Sequence, residues 1–518
     1  MTTHLQIPAT AAALVLLSQL ASSAAVHYVD VNGSNPTPPF LDWSTAATNI
    51  QDAVDSALTG DEVLVTNGVY RYGGRSVGTN ILVNRVAVDK SVKLLSINGP
   101  EFTVIEGYQL PGTTNGEGAV RCVYLTNGAI LSGFTLTKGA TRGSTQTEEG
   151  NGGGVWCPDL GDALVTNCLI MGNSAYQWGG GGYGGGFHSC LIQSNSAYSG
   201  AGVNNAFLTN CYVVGNRAAA YGGGAQFRGL YQCTLAYNTA KTGGGASYSS
   251  LYGCLVVSNR AIQTGGGVVN GGNLDGCTIV GNTAFQGGGV AGGNSGYNCI
   301  IYYNYASSPI APNTNSSQTP LRYSCTVPFL DMTGNITNEP GFLSPETGDF
   351  RLRFDSPCIN AGRNDYARTP LDLDGLPRIV SGTVDMGAYE FQGAGSKISY
   401  AWLQGFGWPI DGSADDLDPD GDGMNNWEEW VAGTAPTSPA SALQMLSATG
   451  QLPNVTVSWQ SIPYKLYWLE RSSNCADSYS FVTVRTNISG KAGASVTQYT
   501  DTTATNGGPF FYRVGVNR

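Results

Sequence analysis

Residues 167–175 read NCLIMGNSA. The same sentence returns as SCLIQSNSA at 189–197, NCYVVGNRA at 210–218, QCTLAYNTA at 232–240, GCLVVSNRA at 253–261, GCTIVGNTA at 276–284 and NCIIYYNYA at 298–306. Seven cysteines (Cys168, Cys190, Cys211, Cys233, Cys254, Cys277, Cys299) therefore recur at intervals of 21 to 23 residues. Each is followed two positions on by an aliphatic residue, five on by an asparagine (Asn173 to Asn304) and seven on by an alanine (Ala175 to Ala306). Glycine clusters such as Gly222-Gly223-Gly224 and Gly265-Gly266-Gly267 open the next copy.

A fixed period near 22 is the mark of a solenoid. The unit is too short for a helix pair, and its glycine and β-branched content disfavours helix. A coil of three short strands and three bends fits. Stacked coils would pair in parallel about 4.8 Å apart. The cysteine and the aliphatic residue two positions later then face inward together, because side chains alternate along a strand. The asparagine falls at a bend, where its amide can bond up and down the stack and satisfy backbone groups that the turn leaves open. The expected fold is all-β: a right-handed parallel β-helix with coils of about 22 residues.

Composition agrees. The 518 residues include 73 glycines, about twice the ordinary share. Charged residues are 12% and apolar residues 41%, so a packed repeat rather than disorder is expected. The formal net charge of −11 disfavours nucleic acid and anionic membranes as partners. Residues 1–25 read as a secretory signal, with an apolar run from Ile7 to Leu20 and small residues at Ser22-Ser23-Ala24-Ala25. No later stretch is long and apolar enough for a transmembrane segment. The expected location is extracellular or at the cell surface, including the cell outer membrane.

Trp43 to Ala57 carries Ala47, Ile50, Ala53, Val54 and Ala57 at helical spacing, with Ser44 or Thr45 as N-cap. That helix is expected to cap the open N-terminal end of the solenoid. The following IQDAVDSALTGDEVLVTNGVYR resembles the opening of pectin-lyase-like β-helix proteins, and LLSINGPEFTVIEG and VYLTNGAILSGFTLTKGA resemble their early coils. The NxA…GGG repeats resemble those of bacterial polymorphic outer-membrane proteins. SPCIN…DLDGLPRIVSGTVDMGAYE is similar to the choice-of-anchor Q segment at the end of exported bacterial β-helices. These resemblances imply fold and export and say little of activity. The β-helix with its caps is expected over 26–392, its C-terminal cap closed by Val384 to Phe391.

A second motif lies in the linker, 393–440. Asp418, Asp420, Asp422, Gly423, Met424, Asn426 and Glu429 occupy positions 1, 3, 5, 6, 7, 9 and 12 of an EF-hand-like loop. The loop offers three carboxylates, the Met424 carbonyl, the Asn426 side chain or a water, and a bidentate Glu429, a set of hard oxygens suited to calcium. Tyr400 to Leu403 and Trp427 to Val431 are candidate flanking helices. The loop resembles those of dockerins and thrombospondin type 3 repeats; with a single copy, docking to a cohesin is not expected. Residues 441–518 alternate as strands between polar turns, a small β-sandwich resembling fibronectin type III domains.

Outside the signal-like segment the histidines are His27 and His188, and no catalytic residue is assigned. Arg217, Arg228, Lys241, Arg260 and Asp275 are scattered through the repeats. Glu148 and Glu149 near Arg142 are the other place where a site could assemble. The residues after the cysteines (Leu169, Leu191, Tyr212, Thr234, Leu255, Thr278, Ile300) form an outward row without acid or base. Tyr176, Tyr183, Tyr198, Tyr221, Tyr231, Tyr248 and Tyr252 suit sugar rings. The expected function is adhesion or binding of a polysaccharide or cell-surface glycan; the alternative is a polysaccharide lyase or other carbohydrate-active enzyme.

Stacked ladder cysteines have Cβ atoms about 4.8 Å apart, beyond the usual disulfide separation of about 3.8 Å. They are expected to be buried thiols, with Cys325 and Cys358 the best disulfide candidates. Thiol counts in denaturant should be nearly the same with and without reductant; oxidation of most of the twelve cysteines would contradict the ladder.

Overall fold

A computed structural model describes residues 24–516 except 144–146, 159–161, 309–314, 329, 464, 477–479, 492–494 and 506–507. The signal-like segment lies outside the described residues but for its last two.

The repeat is a parallel β-helix, right-handed as such crossovers are. The middle coils contribute four short strands rather than three, for example Gly182–Tyr183, Gly186–His188, Leu191–Gln193 and Ser196–Ala197. The first two ladders fuse into one 20-stranded sheet, because Val268–Asp275 and Val290–Tyr297 run through both. The third ladder stacks 11 strands from Gly68–Tyr70 to Cys325–Thr326, and the fourth stacks 6. Registers repeat without slippage along the third ladder, as in Ile170↔Ile192, Ile192↔Val213 and Val213↔Leu235.

The bends are made by single residues in the left-handed region. One precedes each ladder cysteine, as at Ser189, Asn210 and Gln232 (φ 51 to 53°), and one precedes each ladder asparagine, as at Ser194 and Tyr237 (φ 55 and 56°). The side chains on either side then point into the tube. All seven ladder cysteines and the aliphatic residues after them are buried at 2% exposure or less, so inward alternation holds throughout. Every described cysteine is a free thiol. Cys325 and Cys358 share a buried cluster beside the solenoid but are not bonded to each other.

The asparagine stack is continuous. Asn216 Nδ2 and its backbone N–H both donate to Asn238 Oδ1 (3.0 and 2.9 Å), and Asn238 Nδ2 donates to the Val213 carbonyl (2.8 Å). The same three bonds recur from Asn173 to Asn304, where Asn315 Oδ1 receives the last pair. On the adjoining wall stacked backbones approach closely. A Cβ on Gly224 or Gly245 would lie 2.6 Å from the carbonyl oxygen of the next coil, so these positions admit only hydrogen.

The N-terminal cap is shorter than its periodicity implied. A 3₁₀ turn, Trp43–Thr45, is capped by Asp42, and the helix α1, Ile50–Ser56, is capped by Asn49, whose side chain accepts from Asp52 N. Extended backbone at Ala46 and Asn49 separates the two, because Asx side chains bond their own backbone in place of the helix. Ile50, Ala53 and Val54 seal the first coil, and Gln51 exchanges two hydrogen bonds with the Ala87 backbone. A short second helix, α2, is Thr147–Gly150.

The segment 356–390, expected to close the C-terminal end, does not do so. It lies along the side of the solenoid as a clasp. Gln232 Nε2 donates to the Leu371 and Asp372 carbonyls, Ala388 N donates to Thr278 Oγ1, and Asn298 exchanges hydrogen bonds with Arg363. Phe342, Phe350, Leu352 and Met386 pack on Leu255, Val280 and Ile300, so the later part of the outward row is covered while Leu191 and Tyr212 stay exposed. The motif's polar residues hold the clasp together. Asp372, Asp385 and Glu390 accept backbone N–H groups, and Arg378 pairs with Glu390 at 3.1 Å. Burial pushes both Asp385 and Glu390 up, and the charge of Arg378 opposes it.

Helices α3 (Tyr400–Gly405) and α4 (Asn426–Ala432) follow. Two antiparallel three-stranded sheets then pack around Val457, Trp459, Tyr467 and Leu469 as a small β-sandwich.

Replacing Asn238 with Ala leaves the buried Asn216 backbone N–H without its acceptor, costs the Asn216 amide one of its two bonds (that to the Ile192 carbonyl stays) and removes the amide donor to the Val213 carbonyl. At about 1–3 kcal/mol for a buried group left without a partner, a loss of about 2 kcal/mol or more is expected. Denaturant unfolding should show it, with the exposed Lys241→Ala near wild type.

Candidate functional site

The sequence-derived metal loop folds as a tight acidic turn. Gly421 N and Gly423 N donate to the two Asp418 oxygens (2.8 and 3.0 Å), Asp422 N to Asp420 Oδ1 and Met424 N to Asp422 Oδ1. Gly421 and Gly423 take φ of 74 and 94°, which the turn requires. These bonds gather Asp418, Asp420 and Asp422 so that one oxygen of each lies within 4.8 Å of the others. Asn425 then starts α4 with a capping box, which carries Glu429 inward. Glu429 is fully buried, and among the described residues neither carboxylate oxygen has a hydrogen-bond partner. Burial, then the charges of Asp420 and Asp422, push it up to about 7.

Asp420 Oδ2 and Asp422 Oδ2 are likewise buried without partners. Asn426 spends its Nδ2 on the Ala414 carbonyl (2.8 Å) and keeps a buried Oδ1 without a partner. The Met424 thioether accepts from Leu443 N, which ties the loop to the start of the sandwich. The clustered oxygens of Asp418, Asp420 and Asp422, with Asp420 Oδ2 and Asp422 Oδ2 buried and unpartnered, fit a hard divalent cation; Glu429 stands outside that cluster but near enough for the charges of Asp420 and Asp422 to raise it. Both candidate flanking helices form, as α3 and α4, but twelve residues separate the end of α3 at Gly405 from Asp418, and the loop is approached through turns at Asp411 to Leu417. Proline at 409 and the Asp411 and Asp415 turns break any longer helix.

The scattered charges of the repeats do not converge. Arg228 donates to Asn205 Oδ1 and covers the Phe207 ring, while Arg217 and Lys241 are exposed. Arg142 pairs with Glu149 and Glu117, and Glu149 also accepts from Ile81 N, so this group pins a long loop; Glu148 is exposed. His27 pairs with Asp61 inside the N-terminal coil. Tyrosines divide between faces: Tyr231 and Tyr252 stack at 4.9 Å, while Tyr248 stacks on Phe227 elsewhere.

Two places were not legible beforehand. The first is a cleft of about 520 Å³ between the third ladder and the clasp. Tyr212 (57% exposed) and Tyr237 (63% exposed) stand on the solenoid side, with Tyr389 and Phe350 opposite. Arg351 is paired within the protein, with two 2.7 Å bonds to Asp374, while Glu346 accepts from Ser344 Oγ and has no ion pair among the described residues. Tyr212 was visible in the outward row, but nothing local to it announces the wall contributed more than 130 residues later. The second is Asp275, between Tyr252 and Tyr297 on its ladder. Its carboxylate is buried, pushed up to about 6 by burial, and 3.5 Å from Arg368, with Oδ1 lacking a hydrogen-bond partner.

No family model matches the chain, and no curated protein matches it. Among solved structures it is similar to pectate lyase Pel9A, at 14% identity and a TM-score of 0.42, over 71% of this chain and 97% of that one. It is also similar to the Dettilon tailspike protein (gp208), at 11% identity and a TM-score of 0.31, over 95% of this chain and 94% of that one.

Proposed function

We propose that this chain is an exported or cell-surface β-helix protein that binds glycan without transforming it, and that calcium organises its C-terminal junction. The observation that carries the glycan reading is the tyrosine-walled cleft. Aromatic faces offer apolar stacking area with a polar rim, which suits sugar rings, and the cleft's arginine is held by Asp374 rather than left for proton transfer. No helix among the described residues is long and apolar enough to cross a membrane.

Calcium would be held by Asp418, Asp420, Asp422 and Glu429, with the Met424 carbonyl and Asn426 completing the set. Bound there, it supplies charge that compensates the buried carboxylates. The chain's own part is to fix α4 through the Asn425 capping box and to keep Asp415 on Ser396 and Lys397, so that loop and linker share one scaffold.

A specific observation favours a second reading. Asp275, with its raised proton affinity, a cation alongside and flanking tyrosines, has the parts of an acid–base site in a polysaccharide-acting enzyme.

The calcium reading predicts one site per chain in calorimetry on the full-length protein freed of metal by chelator. The expected Kd is about 10⁻⁴ M, as in extracellular modules. Asp420→Ala and Glu429→Ala should each abolish the heat; an unchanged isotherm in both would refute the site.

The glycan reading predicts that a glycan array identifies ligands for which Tyr212→Ala/Tyr237→Ala weakens binding at least tenfold, about 1.4 kcal/mol. No unsaturated product should appear with pectate, alginate or chondroitin. Turnover abolished by Asp275→Asn would establish the enzymatic reading instead.

A further inference from the structure

A cavity of about 380 Å³ lies where the end of the solenoid, the helix pair α3–α4 and the first turn of the sandwich meet. It falls within the range of about 300–1,000 Å³ typical of small-molecule sites. Three otherwise separate parts of the chain build it. Tyr323 and Asn338 come from the last coils, Arg363 from the clasp, Trp402 and Trp430 from α3 and α4, and Lys465 from the sandwich.

Its chemistry is one-sided. Arg363 lies over the Tyr323 ring, donates through Nη1 to the Tyr323 hydroxyl at 2.9 Å and pairs through Nε and Nη2 with the exposed Asp365 carboxylate at 2.8 and 2.7 Å. Lys465 donates to the Val431 carbonyl at the C-terminal end of α4 (2.7 Å), and among the described residues no carboxylate lies within ion-pair distance of it. Capping a helix end explains one of the three ammonium donors and none of the cavity. Burial, and then the charge of Arg363, bring Lys465 down to about 8, so at neutral pH Lys465 is still a cation in a partly enclosed space, beside an Arg363 already paired with Asp365. A half-buried ammonium without a carboxylate partner is favoured when an anion joins it. Two half-buried indoles, Trp402 and Trp430, line the same space and add apolar area to it.

We propose that this cavity binds a compact ring bearing a carboxylate, of the chemical class of a hexuronic acid, with the carboxylate between Lys465 and Arg363 and the ring against Trp402 and Trp430. The site is separate from the tyrosine cleft and does not depend on it. It makes the junction a ligand-reading element, because a single small acid would touch the solenoid's last coils, the helix pair and the sandwich at once.

The test is saturation-transfer NMR and calorimetry on the full-length protein with sodium galacturonate and sodium glucuronate, against glucose and methyl galacturonate ester. At least one acid should bind saturably, at one site per chain. Glucose and the ester should bind at least tenfold more weakly. Lys465→Met and Arg363→Gln should each weaken the acid at least tenfold, while Tyr212→Ala/Tyr237→Ala leaves it unchanged. The wild-type comparison of acid with ester stands even if a cavity variant fails to fold. The proposal is overturned if neither acid binds at millimolar concentration, if the ester binds as well as the acid, or if binding survives in Lys465→Met. Loss of acid binding in the tyrosine double variant alone would place the ligand in the cleft, and would overturn this site while leaving the glycan reading intact.

Discussion

Every coil of this solenoid must satisfy its backbone at the bends while its neighbours stand about 4.8 Å away. The asparagine stack meets that constraint. Each side-chain carbonyl accepts both the backbone N–H and the amide of the asparagine one coil earlier, and each amide returns to a carbonyl inside the turn. The bends are therefore determined by a hydrogen-bond chain running along the axis, and the rest of the coil follows. A left-handed residue before each asparagine and each cysteine sets the corners, the small thiol and its aliphatic neighbour fill the narrow interior, and glycine lines the wall where carbonyls approach a missing Cβ. Such a stack is open at both ends and exposes a strand row on each outer face.

Those exposed rows decide what else the chain builds. α1 covers the first coil, with Gln51 supplying in one side chain the two hydrogen bonds that a missing strand would make to Ala87. The clasp covers the outer face of the later coils. It is a short irregular segment and cannot supply a large apolar core, so its own cohesion comes from carboxylates that accept backbone N–H groups around buried Arg378. Because it stops short of Tyr212 and Tyr237, its edge becomes the wall of a cleft. The candidate glycan site is thus a by-product of how the outer face is protected.

The junction beyond the clasp is held by different means. Trp402, Trp408, Trp427 and Trp430 surround Ile398, Leu403 and Ala414, while the acidic loop concentrates negative charge on one side of α4 and Lys465 meets the other end of the same helix. One short helix, α4, therefore connects a carboxylate cluster with buried unpartnered oxygens to a cavity whose Lys465 has no carboxylate partner among the described residues.

Most of the fold was legible in the residues because its rules are local and periodic. The cysteine–aliphatic–asparagine spacing determines which side chains point inward, and seven repetitions leave one register. The acidic loop was legible for the same reason, since ligand spacing along twelve residues is a property of the turn itself. Helix α1 was read too long because competing Asx caps at Asp42 and Asn49 act against periodicity. The tertiary structure alone decided that the segment after the repeats lies beside the solenoid, that Leu255, Thr278 and Ile300 are covered while Tyr212 is not, that Asp275 meets Arg368, and that Arg363 and Lys465 face one cavity. Each of these joins residues far apart in the chain, and no spacing along a sequence encodes which distant surface a non-repeating segment will cover; that depends on the shape and polarity of the face the stacked coils present.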